Sequence, residues 1–278
     1  MSSILTNNSA MVALETLRNV NRNLEAVQSE ISTGKKVATA KDNAGIWAVA
    51  TVMSSDVESF KQISDSLSLG SSTVGVARAA SEKIVQTLQE IKSLIVTAQG
   101  ENVDREKIQT DITAKISLIT GFVAAAQFNG LNLIDGTSTD DVNVLSSLNR
   151  ASDGTVTAGN ITVERQDLAT DGGLGDLEDI DVTTTDDAED ALTSIEDLLQ
   201  TAIDAAAAFG SAQSSINSQA EFVKVLTDSL KTGVGSLTDA DMEAASAKLQ
   251  ALQVQQQLGV QALSIANQSP QALLSLFR

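Results

Sequence analysis

Two long stretches of the chain repeat apolar residues at alternating spacings of three and four residues. This is the spacing of a helix that packs along one seam. The stretches are residues 60–98 and 192–230, and ten of the twelve seam positions in each are apolar. At 1.5 Å per residue, the first would form a helix of roughly 60 Å. Because such a seam must be covered by other helices, we predict a mainly α fold, a long antiparallel helical bundle or coiled coil.

The composition agrees with long uninterrupted helices. The 278 residues include one proline, at position 270, so residues 1–269 lack the strongest helix breaker. Aromatic residues make up only 3% of the chain, which leaves a core of ordinary thickness without its usual large fillers. The combination is typical of thin helix-on-helix packing. A shorter helix is predicted from the apolar spacing over residues 108–126.

Both ends of the chain carry stripes of the same spacing. The N-terminal stripe comprises Ala10, Ala13, Leu17, Val20, Leu24, Val27 and Ile31, and Gly34 is a plausible stop. The C-terminal stripe follows an expected interruption at Gly233 and Gly235 and a predicted N-cap at Thr238 or Asp239. Its positions are Met242, Ala245, Leu249, Leu252, a gap at Gln256 and Gly259, then Leu263 and Ala266, with Leu273, Leu274, Leu276 and Phe277 beyond.

Two helices on their own are too few to stay folded as a separate unit in water. The terminal stripes therefore need partners. If the partners are copies of the same chain and the contacts do not close, the product is a filament. The spacing alone also fits an ordinary coiled-coil domain, and it allows, without proving, terminal helices that become ordered only on assembly.

The middle of the chain, residues 135–185, follows no helical spacing. Short alternating runs separated by Gly and Asp predict a small β-hairpin and loop insertion. The charge is concentrated in the same region, because residues 135–197 hold 17 acidic and 2 basic residues, a net charge of −15. The remaining residues carry only −3 of the total of −18. We therefore expect an exposed acidic insertion between nearly neutral helical parts.

The residue counts exclude several classes of protein. Without His or Cys, the chain cannot form an ordinary zinc site, a catalytic triad or a disulfide. We predict no catalytic residue, cofactor or metal site, and the acidic balance argues against nucleic acid and anionic membrane as partners. The sequence shows no transmembrane run and no cleavable signal, which taken alone predicts a cytoplasmic protein.

Three motifs identify a family. Residues 31–45 (ISTGKKVATAKDNAG), 128–136 (FNGLNLIDG) and 239–242 (DADM), the last running on to 266–276 (ANQSPQALLSL), resemble bacterial flagellins, most of all the short alphaproteobacterial forms. The motifs lie in the family's order and cover roughly residues 1–136 and 186–278. The resemblance implies a structural subunit of the flagellar filament for swimming motility. It also implies export through the flagellar secretion channel, which overrides the cytoplasmic prediction.

The resemblance also implies an organisation and partners. We expect a terminal coiled-coil domain from residues 1–38 and 238–278 that forms the inner tube, a helical rod from 39–134 and 186–237, and the insertion at 135–185. The expected partners are copies of the chain, a flagellar secretion chaperone, and cap and junction proteins. The predicted polymerisation seam comprises Leu17, Val20, Leu24, Val27, Ile31, Leu249, Leu252, Leu263, Leu273, Leu276 and Phe277.

One further segment is similar to a receptor-binding site. Flagellins that activate the vertebrate Toll-like flagellin receptor carry a motif whose positions correspond to Leu88, Gln89, Glu90 and Leu94 here. Glu90 occupies the position of a central arginine, so the charge is reversed, and an opposed charge at an interface is costly. We expect this protein to evade the receptor, although Glu90 also fits an ordinary solvated helix position.

Two other functions stay open at this point. A hook–filament junction protein has similar terminal segments and is the alternative to a filament subunit. A secreted coiled-coil effector or adhesin would have the helices without a polymer. The DADM and FNG motifs together favour the filament subunit.

Overall fold

A computed structural model describes residues 7–151 and 153–275, with side chains described up to Gln268. The described part contains five α-helices: α1 (Asn8–Thr33), α2 (Ala44–Ala98), α3 (Arg105–Ala125), α4 (Thr185–Thr238) and α5 (Met242–Ser275). Two small antiparallel hairpins lie between α3 and α4 in sequence. They are β1 (Gln127–Phe128) with β2 (Leu131–Asn132), and β3 (Val142–Arg150) with β4 (Val156–Val163). The prediction of a mainly α fold with a small hairpin insertion is confirmed.

The helix ends follow local chemistry. Gly34 ends α1 with a φ of 68°, a left-handed conformation that glycine adopts without strain. The cap of α5 differs from the prediction, because the Asp241 carboxylate, rather than Thr238 or Asp239, accepts the N–H groups of Glu243 and Ala244, both at 3.1 Å. The expected interruption at Gly233 and Gly235 is also wrong. The helix α4 continues through both glycines to Thr238, where a hydroxyl bond to the Val234 carbonyl closes its last turn.

The chain divides into two compact units. The first, here called the terminal unit, comprises residues 1–57 and 229–278. Within it, α1 packs along α5, and the buried core consists of Val20, Val27, Ala245 and Leu252, with Leu24, Ile31 and Leu249 packed against it. The segment after α1 is also bonded to the end of α4, since Lys36 donates its N–H to the Thr238 carbonyl (2.7 Å).

The second unit, the rod unit, comprises residues 58–228. All twelve positions of the predicted stripe in α2 are buried, which confirms the alternating spacing as a seam. The stripe of α4 is buried or half-buried at every position up to the end of this unit. The largest fully buried side chains of the rod unit include Ile63, Leu67, Ile84, Leu88, Ile91, Ile95, Ile112, Ile119 and Phe209.

The acidic insertion is tied to the helices of the rod unit. Val144 of β3 lies over Gly70 of α2 so closely that a Cβ at Gly70 would meet the Val144 Cγ1 at 2.6 Å. Gln219 of α4 donates to the Ser146 carbonyl (2.9 Å). The Gln109 amide of α3 bonds the Ile180 carbonyl and the Val182 N–H. The insertion is thus held by side-chain hydrogen bonds from α3 and α4 and by packing against α2. The predicted three-part division stays a prediction.

Candidate assembly surfaces

The predicted polymerisation seam lies between α1 and α5 of one chain. Val20, Val27 and Leu252 are buried, and the other described members of the seam, Leu17, Leu24, Ile31, Leu249 and Leu263, are half-buried. The Leu273 side chain and all of Leu276 and Phe277 lie outside the described residues. The structure therefore brings eight of the eleven predicted residues together as an intrachain seam. Their role in polymerisation stays a prediction.

Three contacts along this seam were not foreseen from the sequence. The Asn7 side-chain amide donates to the Ala266 backbone carbonyl (2.7 Å), and the Gln256 side-chain amide donates to the Asn21 Oδ1 (2.8 Å). At Gly259, an added Cβ would meet the Leu17 Cδ1 at 3.2 Å. The pairs run in opposite directions along α1 and α5, so the helices are antiparallel. The two positions that interrupt the apolar pattern therefore still belong to the seam. Gln256 pairs with Asn21, and Gly259 allows Leu17 to approach closely.

A second stripe follows the opposite face of α5. Shifting the seam by two residues rotates it by about 200° around a helix. The shifted positions, here called the outer stripe, are Ala247, Ala251, Val254, Leu258, Gln261 and Ile265. The three large apolar members are 54%, 57% and 69% exposed. The spacing of the outer stripe is visible in the sequence, but the assignment of a single apolar seam to each helix leaves it out.

The outer stripe is also free of charge. No charged residue occurs between Lys248 and Arg278 of the sequence. A helix face in contact with water usually carries charged side chains. The exposed face of α1 does so, with Glu15, Arg18, Arg22 and Glu25 all exposed along it. The two exposed helix faces of the terminal unit therefore differ in chemistry, because one is charged and the other is apolar and uncharged.

Exposed apolar side chains are concentrated in the terminal unit. Of the nineteen exposed large hydrophobic residues in the described part of the chain, twelve belong to this smaller unit. They include Met11, Val12 and Leu14 near the start of α1, and Trp47, Val49 and Val52 near the start of α2. Concentrations of this kind mark surfaces that bind other proteins.

The connection between α1 and α2 is held by a carboxylate. Asp42 accepts hydrogen bonds from the N–H of Ala38 (3.1 Å) and from the N–H and hydroxyl of Thr39 (2.8 and 3.0 Å). The bonds from Thr39 lower the pKa of the Asp42 carboxyl below its usual value of 3.8. At neutral pH the ionised carboxylate therefore stabilises this turn.

The receptor-like segment lies on α2 in the rod unit. Leu88 is fully buried, Leu94 is half-buried, and Gln89 and Glu90 are exposed. The Glu90 carboxylate forms an ion pair with the Lys115 ammonium of α3 at 2.5 Å. Sequence reasoning missed Lys115, because no local pattern shows which residue of α3 lies beside Glu90.

The described residues offer no arrangement for metal chemistry. Across 7–151 and 153–275, no three carboxylates come together in a group that could hold a metal ion. In the acidic insertion, the Asp181 carboxylate instead accepts the Thr183 N–H (2.7 Å), which lowers the pKa of Asp181. None of the described helices is long and apolar enough to cross a bilayer.

Comparison with known proteins gives consistent matches at both ends. Residues 4–139 match the bacterial flagellin N-terminal helical region, and residues 188–277 match the bacterial flagellin C-terminal helical region. A flagellin of Brucella melitensis is 44% identical over the full length of both chains. The flagellin FljM of Caulobacter vibrioides is 41% identical over the whole of this chain and 99% of its own.

A solved structure supports the fold alone. The structure of a flagellar hook-associated protein from Vibrio parahaemolyticus covers 71% of this chain and all of its own, with a TM-score of 0.54 at 11% identity. The full-length relatives favour a filament subunit over a junction protein. The chain belongs to the bacterial flagellins, of the alphaproteobacterial type, which are the structural subunits of the extracellular flagellar filament.

Proposed function

We propose that the chain polymerises by packing the outer stripe of α5 against the terminal helices of neighbouring copies, while the α1–α5 seam holds each subunit's own pair together. The observation that supports this is the position of two apolar stripes on opposite faces of one helix. The seam is covered by α1, and the outer stripe is exposed in the single chain. A helix with two apolar faces is stable when it lies between two partners.

The missing charge fits burial against another copy. Assembly removes the contacting faces from water, so a charged side chain in the stripe would have to be desolvated. An uncharged stripe of Val, Leu, Ile, Ala and Gln avoids the cost of burying ions. Contacts between different faces of identical copies that do not close produce an open helical polymer.

The predicted seam keeps an indirect role in this proposal. Leu252 is 6% exposed and packs in the α1–α5 core. We expect Leu252→Asp to block assembly because a buried unpaired charge separates α1 from α5. We expect Asp179→Asn, in the exposed insertion, to leave assembly intact. Sedimentation and electron microscopy of both variants measure the contrast, and normal filaments from Leu252→Asp would contradict the model.

Thiol protection tests the outer stripe directly. The chain has no Cys, so one introduced thiol gives an unambiguous signal. We expect the thiol of Val254→Cys to react quickly with a maleimide in the monomer and slowly in the filament. Asp179→Cys is the control, since Asp179 is exposed in the acidic insertion, and its thiol should react equally fast in both states. Equal reactivity of the Val254→Cys thiol in both states would contradict the proposal.

The remaining partners and exclusions follow from the family. We propose export through the flagellar secretion channel with the help of a secretion chaperone, and contacts with cap and junction proteins at the filament ends. We also propose that the chain has no enzymatic role and binds neither nucleic acid nor membrane, since its net charge of −18 opposes polyanionic surfaces. Copurification from cells that export the chain would identify the chaperone, and its loss should stop secretion.

A second proposal concerns immune recognition. We propose that Glu90 weakens recognition by the vertebrate flagellin receptor, because a receptor surface built for arginine meets a carboxylate already paired with Lys115. The double variant Glu90→Arg/Lys115→Glu retains an ion pair and reverses its direction. In a cell reporter assay with purified monomer, we expect the double variant to signal more strongly than the unmodified chain. Equal signalling from the two would contradict this proposal.

A further inference from the structure

We infer that the start of α2 forms a second contact between copies, in which Trp47 becomes buried against a neighbouring subunit. This inference rests on the proposed function, because it assumes that the terminal unit takes part in polymerisation. It concerns a different surface, here called the Trp47 face, which is the exposed side of residues 44–52. Trp47 is the only tryptophan of the chain, and 38% of it is exposed.

Small side chains lie along the middle of the Trp47 face. Ala44, Ala48 and Thr51 point outward from α2 and are exposed. At 100° per residue, Trp47 lies on one flank of these small side chains and Val52 on the other. Val52 is 45% exposed, and Val49 beside it is 53% exposed. Small residues between bulky apolar flanks allow a helix from another molecule to approach closely.

The face carries no charge of its own. The thirteen residues between Asp42 and Asp56 contain no Lys, Arg, Asp or Glu, although charged residues make up 19% of the chain. Opposite this surface, an uncharged partner helix would bury no unpaired ion. The outer stripe of α5 has this property and belongs to every copy, so a second copy of the chain supplies a matching partner. The occupant we propose is therefore a terminal helix of a neighbouring subunit.

The helix start is fixed before any partner arrives. The Asn43 side chain caps α2 by accepting the Ile46 N–H (3.1 Å), and Trp47 donates its backbone N–H to the Asn43 carbonyl (2.9 Å). The Asp42 turn holds the residues just before this cap. A helix start that is already ordered loses little conformational freedom on binding, and Trp is frequent among the residues that contribute most to interfaces.

The exposed area of the Trp47 face is too small to hold a dimer by itself. A fully exposed Trp offers up to about 250 Å², so the exposed 38% of Trp47 is about 95 Å². With two half-exposed valines, the face is on the order of 250 Å², against the roughly 800 Å² per partner of a stable complex. Such a contact adds to others in a polymer, where each subunit touches several neighbours.

The intrinsic fluorescence of Trp47 tests the inference without a label. Purified full-length chain is seeded with filament fragments, and emission and acrylamide quenching are recorded before and after growth. We expect the emission to shift to the blue and quenching to fall severalfold in the filament. The Leu258→Gln chain should remain monomeric at the same concentration. Acrylamide should therefore quench its Trp47 fluorescence as strongly as in the unseeded, unmodified monomer.

A pair of alanine substitutions tests the contact by function. Ala48→Gln places a larger side chain between Trp47 and Val52 at an exposed helix position. Ala79→Gln makes the same change at an exposed position of α2 in the rod unit. We expect Ala48→Gln to raise the critical concentration about tenfold and Ala79→Gln to change it by about twofold or less. Circular dichroism of both monomers checks that the helices remain folded.

Three outcomes would overturn the inference. Filaments that form with Trp47 as quenchable as in the monomer would contradict this contact and leave the proposed polymerisation intact. A blue shift in the monomeric Leu258→Gln chain would show that Trp47 is buried within one chain, against the inference. A chain that forms no fibres under seeding would contradict the proposed function together with the contact that depends on it.

Discussion

The substitution Leu258→Gln separates polymerisation from folding of the terminal unit. Leu258 lies on the outer stripe of α5 and is 57% exposed in the single chain, so it contributes little to the α1–α5 core. Gln already occupies positions 255, 256, 257 and 261 nearby and is a good helix former. We therefore expect the monomer to keep its helices and its unfolding transition. The effect should appear only when copies meet.

The expected size follows from the area still to be covered. Complete burial of a Leu side chain stabilises by about 1.5–3 kcal/mol. Because about half of Leu258 remains exposed in the chain, assembly would recover roughly 1–2 kcal/mol at this position. Each 1.4 kcal/mol corresponds to a factor of ten. The critical concentration for filament growth should therefore rise by about 5- to 30-fold.

The assay is sedimentation of seeded reactions across a concentration series, with Val260→Gln as the matched control. Val260 is 54% exposed on the same helix, two residues from Leu258 and therefore on another side of it. We expect this control to raise the critical concentration by about threefold or less. Equal effects of the two variants would refute the assignment of the outer stripe as the contact. An unchanged critical concentration in Leu258→Gln would refute it as well.

The other predictions concern the two units separately. Gly70→Ala should destabilise the rod unit by up to about 2 kcal/mol, since overpacking against Val144 costs about 1–3 kcal/mol and Ala favours the helix by about 1 kcal/mol. In a Val144→Ala background the same change should stabilise the rod unit by about 1 kcal/mol. Urea unfolding of the unmodified chain, the two single variants and the double variant measures this change of sign. Destabilisation by Gly70→Ala in both backgrounds would contradict the proposed clash. Asp42→Asn should lower the melting temperature at neutral pH by weakening the turn after α1. Because the pKa of Asp42 is lowered in the folded state, its contribution is present above its usual value of 3.8 and is lost as the pH falls through the lowered pKa. The melting temperatures of the unmodified chain and Asp42→Asn should therefore converge in acid. A difference in melting temperature that persists there would show that the carboxylate charge is not the cause.

Apolar spacing predicted the fold because it reports directly which side of each helix is covered. All twelve stripe positions of α2 are buried, and the α1 stripe is buried or half-buried at each predicted position. Gly34 correctly marked a helix end, whereas Gly233 and Gly235 did not, because α4 continues as helix through both positions to Thr238. A single glycine costs a helix only about 1 kcal/mol, so tertiary packing decides whether the helix continues.

The assembly surface was harder to predict for a physical reason. An apolar stripe indicates that a face is covered but does not indicate by what. The terminal stripes were expected to contact other copies, and in the single chain they cover each other. The outer stripe is weaker, since two of its positions are alanine and one is glutamine. Contacts between distant residues, such as Glu90 with Lys115 and Asn21 with Gln256, leave no local pattern at all.

An electron cryomicroscopy reconstruction of filaments grown from the purified chain tests the central claim most directly. We expect α1 and α5 to remain paired through Leu252 within each subunit, and Val254, Leu258 and Ile265 to lie within contact distance of a neighbouring copy. Filaments in which the outer stripe of α5 faces solvent, or in which α1 leaves its own α5 to pair with that of another subunit, would contradict it.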